Sequence, residues 1–324
     1  MLARIVGTGR YLPGRSIVAF ESESPEDPAG RTGAIGRHFV PPCEGASDVA
    51  MVASRAALDA AGIGAHQLDC IVFGTQTSDY YSPASGCVLA AKLGLVGIPA
   101  FDVHSQCAGF LYALAIADHF VRLGTYARVL VVAAEVMSSY IEKSSGERDA
   151  SMVFGDGAGA VIVVAEPNGR RGILATGLHS DGRFARSAMI EVPGSAGGPL
   201  TVEDIQNGRH LAVFDRKRLR VEGRRRLSES LREAFASCGL SVRDVAHFFF
   251  NAGSTPIATR ICHRWGVPAD RVHSDLAEHG NTRAASLPIC LDEMVRRGRI
   301  APEDIVVLAS FGSGLTWAWA VIRW

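Results

Sequence analysis

Three side chains stand where chemistry is easiest to arrange. The stretch FDVHSQCAGFLYAL (101–114) places Cys107 between an apolar run that reads as a buried strand and an Ala/Leu-rich run that reads as a helix starting at or just beyond the cysteine. At a helix N-terminus the unpaired N–H groups and the positive end of the macrodipole favour thiolate over thiol, and the thiolate is the nucleophile. A buried cysteine also serves as a small hydrophobe, so packing is the competing use. Asn251 closes the strand-like run HFFFN, and Asn281 sits in HGNTRAASLPICLDEM, ahead of another helical pattern. A neutral amide donates and accepts hydrogen bonds beside a developing oxyanion but does not exchange protons near neutral pH. At a helix head, asparagine is equally a plain N-cap.

The elements that must position these residues repeat. AAGIGAHQLDCIVFG (60–74) and ASCGLSVRDVAHFFFN (236–251) share a helix end, a glycine, a short polar link and a buried strand. Gly62 matches Gly239, Ile71 and Phe73 match Phe248 and Phe250, and Gly74 falls on Asn251. FVRLGTYARVLVVAAE (120–135) and MVRRGRIAPEDIVVLAS (294–310) repeat helix, glycine stop and strand, and the offset joining Gly124 to Gly298 carries Cys107 onto Asn281. Alternating helices and continuous apolar strands predict α/β layers with buried sheets, built from two similar halves, 1–165 and 166–324. All three residues then lie where strands end or helices begin, the sheet edge at which ligands bind.

Composition excludes several classes. With 324 residues, 48% hydrophobic and 20% charged, the chain has the makings of a large globular core. Lys+Arg and Asp+Glu are both 33, so no global field points to nucleic acid or a membrane surface. Seven widely spaced cysteines without a CxxC pair argue against a disulfide framework and a zinc site, and fit a reducing cytoplasm. MLARIVGTGRYLPG contains no apolar signal region, and no run reaches the ~18 apolar residues of a membrane span.

Together with FDVHSQCAGFLYAL, the stretches FGDGAGAVIV (154–163), LHSDG (178–182), HGNTRAASLPICLDE (279–293), SFGSGLTWAWAVIRW (310–324), IVGTGRYLPG and RTGAIGRH (31–38) resemble the thiolase-fold condensing enzymes, specifically the ketoacyl-ACP synthase III group. GDGAG alone suggests a nucleotide loop, but no helix pattern follows it, so a dinucleotide fingerprint fails on context. The resemblance implies a five-layered α/β/α/β/α thiolase fold, a homodimer, and thioester chemistry with no permanently bound cofactor. CoA or phosphopantetheine thioesters would be the substrates, and acyl carrier protein or acyl-CoA the partners. By the match, Cys107 takes up the acyl group as nucleophile, and its backbone N–H with one from the loop around Ser313 forms the oxyanion hole. Asn281 corresponds to the family asparagine that hydrogen-bonds the second substrate's thioester carbonyl. Arg31 and Arg148 correspond to nucleotide-contacting arginines, with Ser254 beside the phosphopantetheine.

The pattern also breaks. The family's active-site histidine falls on Asn251, which cannot carry a proton as imidazole does; a one-residue loop shift would instead bring Ser254 or Thr255 there. His104 reads as a buried strand residue, His247 lies early in its strand and His279 belongs to the turn before Asn281, so none is an obvious replacement. The tryptophan that stacks on adenine is absent from ESPEDPAGR (23–31), and Ser82, preceded by Tyr80 and Tyr81, stands where a bulky residue usually reaches the partner's acyl pocket. RKRLRVEGRRR (216–226) puts Arg216, Arg220 and Arg224 on one helical face, suited to an acidic carrier protein. The leading expectation is acyl transfer through Cys107 without malonyl decarboxylation, in a specialised pathway. The alternatives are a conventional 3-oxoacyl-ACP synthase III that initiates fatty acid synthesis, and an inactive subunit of a heterodimer.

Overall fold

Apolar runs stopped by glycine form two five-stranded sheets. Strands β1 (Leu2–Tyr11), β4 (Cys70–Gly74), β5 (Ala100–Val103), β6 (Arg128–Glu135) and β7 (Gly157–Glu166) make the first; β8 (Gly172–Ser180), β11 (His247–Asn251), β12 (Val272–His273), β13 (Ile305–Gly312) and β14 (Thr316–Arg323) make the second. Short ribbons pair β2 (Arg15–Val18) with β3 (Gly36–Phe39) and β9 (Ala188–Met189) with β10 (Val213–Phe214). The computed structural model describes residues 1–18, 36–141, 153–166, 168–251 and 255–324; Arg31, Arg148 and Ser254 lie outside the described residues.

Both sheets run in the same order. The first is β5-β4-β6-β7-β1 and the second β12-β11-β13-β14-β8, so the third, second, fourth, fifth and first strands of each half lie side by side. In each, the first three of that order are parallel and the last two pairings are antiparallel. The sheets bury both faces, which explains why their strands are apolar throughout rather than alternating.

Helices α1 (Ala46–Ala61) and α2 (Ser85–Lys92) cover one side of the first sheet around a core including Val49, Leu58, Ile71 and Leu130. Helices α3 (Gly109–Arg122) and α6 (Ser286–Arg296) fill the middle, where Phe110, Leu111, Leu287 and Leu291 join Val72 and Val131 of one sheet to Phe249 and Leu308 of the other. Helices α4 (Arg216–Cys238) and α5 (Thr255–Arg264) close the far side against Phe248, Phe250 and Trp319. The result is five layers, α/β/α/β/α. Among the described residues no helix is long and apolar enough to cross a membrane.

The halves correspond, with one correction. Gly62 and Gly239 end α1 and α4 at φ +67° and +63°, left-handed values that suit glycine at a helix stop. At the helix heads, however, the partner of Cys107 is Ala284, not Asn281. Gln106–Ala108 and Arg283–Ala285 each form a 3₁₀ turn running into α3 and α6, and Gln106 and Arg283 share positive φ values of +50° and +52°. Because α3 has 14 residues and α6 has 11, an offset fitted at their C-terminal glycines overshoots at their heads.

Close helix-to-sheet packing explains glycines inside strands. A Cβ on Gly159 would stand 2.7 Å from both the Ile289 amide nitrogen and the Pro288 Cβ. Gly159→Ala is therefore expected to lower stability by about 1–3 kcal/mol. A urea midpoint equal to that of the parent chain would contradict this packing account.

Candidate functional site

Cys107 is buried, 7% exposed, in the turn between β5 and α3. The second sheet reaches across to hold it. Ser310 Oγ, on β13 opposite Asn251, donates 2.7 Å to the Cys107 carbonyl, and Thr316 Oγ1 donates 3.1 Å to the Ser105 carbonyl. Gly312 lies so near that a Cβ there would meet the Cys107 amide nitrogen at 2.9 Å and its Cβ at 3.1 Å. The loop expected to line an oxyanion hole thus approaches Cys107 through Gly312, with Ser313 the next residue along; the Ser313 carbonyl accepts from Thr316 Oγ1 at 3.0 Å.

Asn251 and Asn281 converge on the backbone of Arg283. Asn251 Nδ2 donates to the Arg283 carbonyl, and Asn281 Oδ1 accepts from the Arg283 N–H at 2.9 Å. The amide nitrogen of Asn281 itself donates 2.6 Å to the Val153 carbonyl, and Asn281 bridges Phe154, so the loop ahead of β7 pins this turn. Arg283 is 4% exposed. Its guanidinium lies 4.4 Å from the Phe154 ring centroid and donates 3.1 Å from Nη1 to Gln76 Oε1. Neither motif nor repeat pointed to Arg283; the available signal was a lone arginine within a run of small residues.

Charge at the site is balanced among three groups. Burial pushes the Cys107 thiol up from its ordinary value, Arg283 opposes this, and the negative Glu135 reinforces it. The helix head was expected to favour thiolate, but desolvation, absent from any local sequence argument, is the larger effect. Glu135, at the end of β6, accepts 2.8 Å from Thr77 Oγ1 and 3.3 Å from the Gln76 backbone N–H through Oε2. Burial nonetheless pushes its carboxyl up to about 7. Asp275, beneath the Asn281 turn, accepts 3.2 Å from Thr282 Oγ1 and is likewise pushed up by burial to about 7.

The remaining expected residues fall elsewhere. His104 is exposed just beyond β5, not buried within it, because the strand stops at Val103. His247 Nδ1 pairs with His273 Nε2 at 2.9 Å, at the opposite end of β11 from Asn251. His279 Nε2 pairs with Glu293 Oε1 at 3.1 Å and Nδ1 with His38 Nε2 at 3.3 Å, in the turn as expected. Asp156 of GDGAG accepts 2.9 Å from both the Val40 and Ser138 amides and leads into a strand, so it is a structural clasp. Tyr80 and Tyr81 are exposed. On α4, Arg216 and Arg220 are exposed and Arg224 is half-buried, lining a cleft of about 480 Å³ between α4 and α5. That cleft sets Arg224, Arg225, Arg232, Arg260 and Arg264 against the carboxylate of Glu229.

Comparison with known proteins agrees with this fold. The sequence profile of 3-oxoacyl-[acyl-carrier-protein (ACP)] synthase III matches residues 101–182, and that of its C-terminal region matches 235–324. The beta-ketoacyl-[acyl-carrier-protein] synthase III of Rhizorhabdus wittichii is 36% identical over 334 residues, covering 99% of each chain. The protein of the same name from Rhodospirillum centenum is 37% identical over 328 residues, covering 99% of this chain and 98% of its own. Among solved structures, the 3-oxoacyl-(acyl carrier protein) synthase III of Pseudomonas aeruginosa superposes with a TM-score of 0.89 at 31% identity, over 100% of this chain and 98% of that one. The priming beta-ketosynthase of the R1128 polyketide biosynthetic pathway does so with 0.89 at 32% identity, over 99% and 96%. The five layers are those of the thiolase fold.

The raised carboxyls fix a pH dependence. Glu135 and Asp275, lifted from 4.5 and 3.8 to about 7, bind more protons in the folded than in the unfolded chain across that interval. Their contribution to stability is therefore present below the unfolded values and lost as pH rises through about 7. Glu135→Gln removes one of the two. Urea midpoints compared at pH 5 and pH 8, values set by that window, are expected to differ less in the variant than in the parent; an equal or larger difference would count against the assignment.

Proposed function

The chain belongs to the 3-oxoacyl-[acyl-carrier-protein] synthase III family, and within it we propose the reaction that its relatives' names describe, run from Cys107. The Cys107 thiolate attacks the carbonyl of an acyl-CoA or acyl-carrier thioester; the new carbon–sulfur bond forms, the old one breaks, and the carrier thiol leaves with a proton. A second carrier-bound thioester, activated as a carbanion by loss of its carboxylate as CO₂, then attacks the acyl carbonyl. That step releases Cys107 and leaves a 3-oxoacyl carrier. Tetrahedral intermediates in both steps place negative charge on oxygen, which the Cys107 N–H and an N–H of the Gly312–Ser313 loop are suited to bind.

The observation that carries this reading is that Asn251 and Asn281 grip one buried turn, packed against the turn that holds Cys107, with Ser310 locking the Cys107 carbonyl from the other sheet. The same arrangement speaks against an inactive subunit, since a silent site needs none of it. The names of the relatives favour conventional chain initiation over the specialised transfer placed first on sequence grounds. Asn251 supports the specialised reading. Its amide binds the Arg283 carbonyl and supplies no titrating group, so a step that imidazole would assist, by typically ~10²–10⁴-fold, lacks that assistance here. A transfer to an oxygen, nitrogen or carbon nucleophile without decarboxylation would not need it.

The arginine cleft between α4 and α5 supports a carrier protein as donor. Five guanidiniums beside a single carboxylate among the described lining residues form a local positive field on a chain of zero formal net charge. An acidic carrier helix complements such a field.

Intact mass after mixing with acyl-CoA or acyl carrier protein is expected to show an acyl adduct that Cys107→Ala abolishes; a chain that takes no acyl group from any donor would overturn the proposal. Asn251→His separates the two readings. If the parent decarboxylates malonyl carrier slowly and the variant gains on the order of 10²-fold, the specialised reading stands; a parent already at full rate with no gain in the variant leaves conventional initiation. For docking, Arg224→Glu with Arg260→Glu is expected to raise KM for a carrier-bound donor about tenfold or more while a small thioester is unaffected. Equal effects on both donors would reject the cleft.

A further inference from the structure

Two imidazoles beside the Asn281 turn need more hydrogens than their neutral forms supply. His38, on β3, places Nδ1 2.7 Å from the Pro13 carbonyl oxygen and Nε2 3.3 Å from Nδ1 of His279, while His279 Nε2 lies 3.1 Å from Glu293 Oε1 on α6. Each of these three contacts needs one hydrogen, and neither a carbonyl nor an ionised carboxylate has one to give. Two neutral imidazoles carry only two. The third is an extra proton, shared along the row, and Glu293 is its counter-charge. Burial would raise that carboxyl, yet the His279 hydrogen bond and the charges of His279, Arg10 and Arg297 hold it below its ordinary value.

The row closes a ring of contacts around Asn281. The His38 carbonyl accepts 2.8 Å from the Asp156 N–H, and in the same loop ahead of β7 the Gly155 N–H donates 3.3 Å to the Asn281 carbonyl while the Val153 carbonyl takes the Asn281 N–H at 2.6 Å. Gly280 alone joins His279 to Asn281, at φ +72°, where a Cβ would meet the Val153 carbonyl oxygen at 2.9 Å. The two backbones therefore meet on the loop 153–156, and the two side chains meet at the imidazole pair. Loss of the extra proton removes one hydrogen from the row, and the ring opens on its side-chain side.

We propose that His38 and His279 are positioning residues of Asn281 and that the proton they share is a latch: with it Asn281 is held for the second step, and without it the turn loosens as pH rises. His38 is half-buried and His279 is 9% exposed, so the proton exchanges with water through His38. Several charged groups face the pair. From α6 comes Glu293, which meets Arg10 of β1 at 3.5 Å; from the segment before the turn come Asp275 and Glu278, the latter 3.9 Å from His279 Nε2 and 3.7 Å from Arg297. Arg37 of β3 packs on Gly280, and the Asp156 carboxylate is engaged by the Val40 and Ser138 amides. Burial works against charge on His279, but Glu293, Asp275 and Glu278 together raise it above its ordinary value. A raised imidazole stabilises the fold below its unfolded value, and that contribution is lost as pH rises through the folded one. The inference rests on Asn281 serving the second substrate and deepens that reading.

The test is backbone hydrogen exchange of the segment 280–283, read by peptide mass spectrometry at about pH 5.5 and about pH 9, either side of a raised imidazole. Each rate is divided by the intrinsic rate at that pH, with β13 as the internal reference. Protection in the parent is expected to fall on the order of tenfold between the two. Glu293→Gln supplies an amide that donates to His279 Nε2, so two neutral imidazoles then complete the row, and its protection is expected to change by less than about threefold. A parent without the fall, or a fall that survives in Glu293→Gln, would overturn the proposal. Asp275, whose carboxyl is pushed up to about 7, remains in that variant, so a fall that Asp275 causes would survive there. Should Glu293→Gln fail to fold, His38→Leu decides: it removes the acceptor for His279 Nδ1, protection is expected to be low and flat with pH, and a parental fall would be equally fatal. On the pre-acylated chain, transfer to the second substrate is expected to slow over the same window in the parent and not in Glu293→Gln; parental pH dependence in the variant would overturn the positioning role. No acyl donor is present in the exchange experiment. A chain that shows the expected protection but accepts no acyl group would defeat the reaction proposed above and leave the latch intact, and one that acylates without the fall would do the reverse.

Discussion

The site depends on one backbone constraint: the left-handed turn at Arg283, pressed between the end of β11 and the head of α3. Asn251 and Asn281 hold it by its carbonyl and its N–H, and Val153 and Phe154 hold Asn281 in turn. Positive φ at a non-glycine residue persists only where the surroundings over-determine it, and here each half of the chain contributes a clamp. Ser310 and Gly312 do for Cys107 what the asparagines do for Arg283, fixing a carbonyl and crowding an amide. Duplication of the fold places two such turns face to face, a thiol on one and a guanidinium on the other.

Burial and charge compete throughout this centre. Desolvation raises the thiol of Cys107 and the carboxyls of Glu135 and Asp275, while Arg283 and a set of hydroxyl and amide donors pull the other way. At Cys107 burial is the larger effect, and Arg283 offsets only part of it.

Much of this was legible in the sequence. Glycine stops at 62 and 239 and the apolar runs after them exposed the repeat, since helix termination and strand burial are local consequences of residue type. The strand-to-helix junction at Cys107 was visible for the same reason. What escaped needed three dimensions. Arg283 finds its partners at Gln76 and Phe154, far away in sequence, and nothing in NTRAAS says which way a side chain will point from a turn of unusual φ. The rise of the Cys107 thiol comes from enclosure by other elements, so an argument from the helix head alone gave the wrong sign. His104 escaped by one residue, because the strand before it stops at Val103. The mismatch of Cys107 with Asn281 came from a three-residue difference hidden inside two helices of 14 and 11 residues.

The most direct examination of this centre is a crystal structure of the chain with Cys107 carrying an acyl group. The account predicts the thioester carbonyl oxygen at the Cys107 N–H and the Gly312–Ser313 loop, with Asn251 and Asn281 still bound to the Arg283 backbone. An acyl group on another cysteine, or a thioester oxygen turned away from that loop, would contradict it.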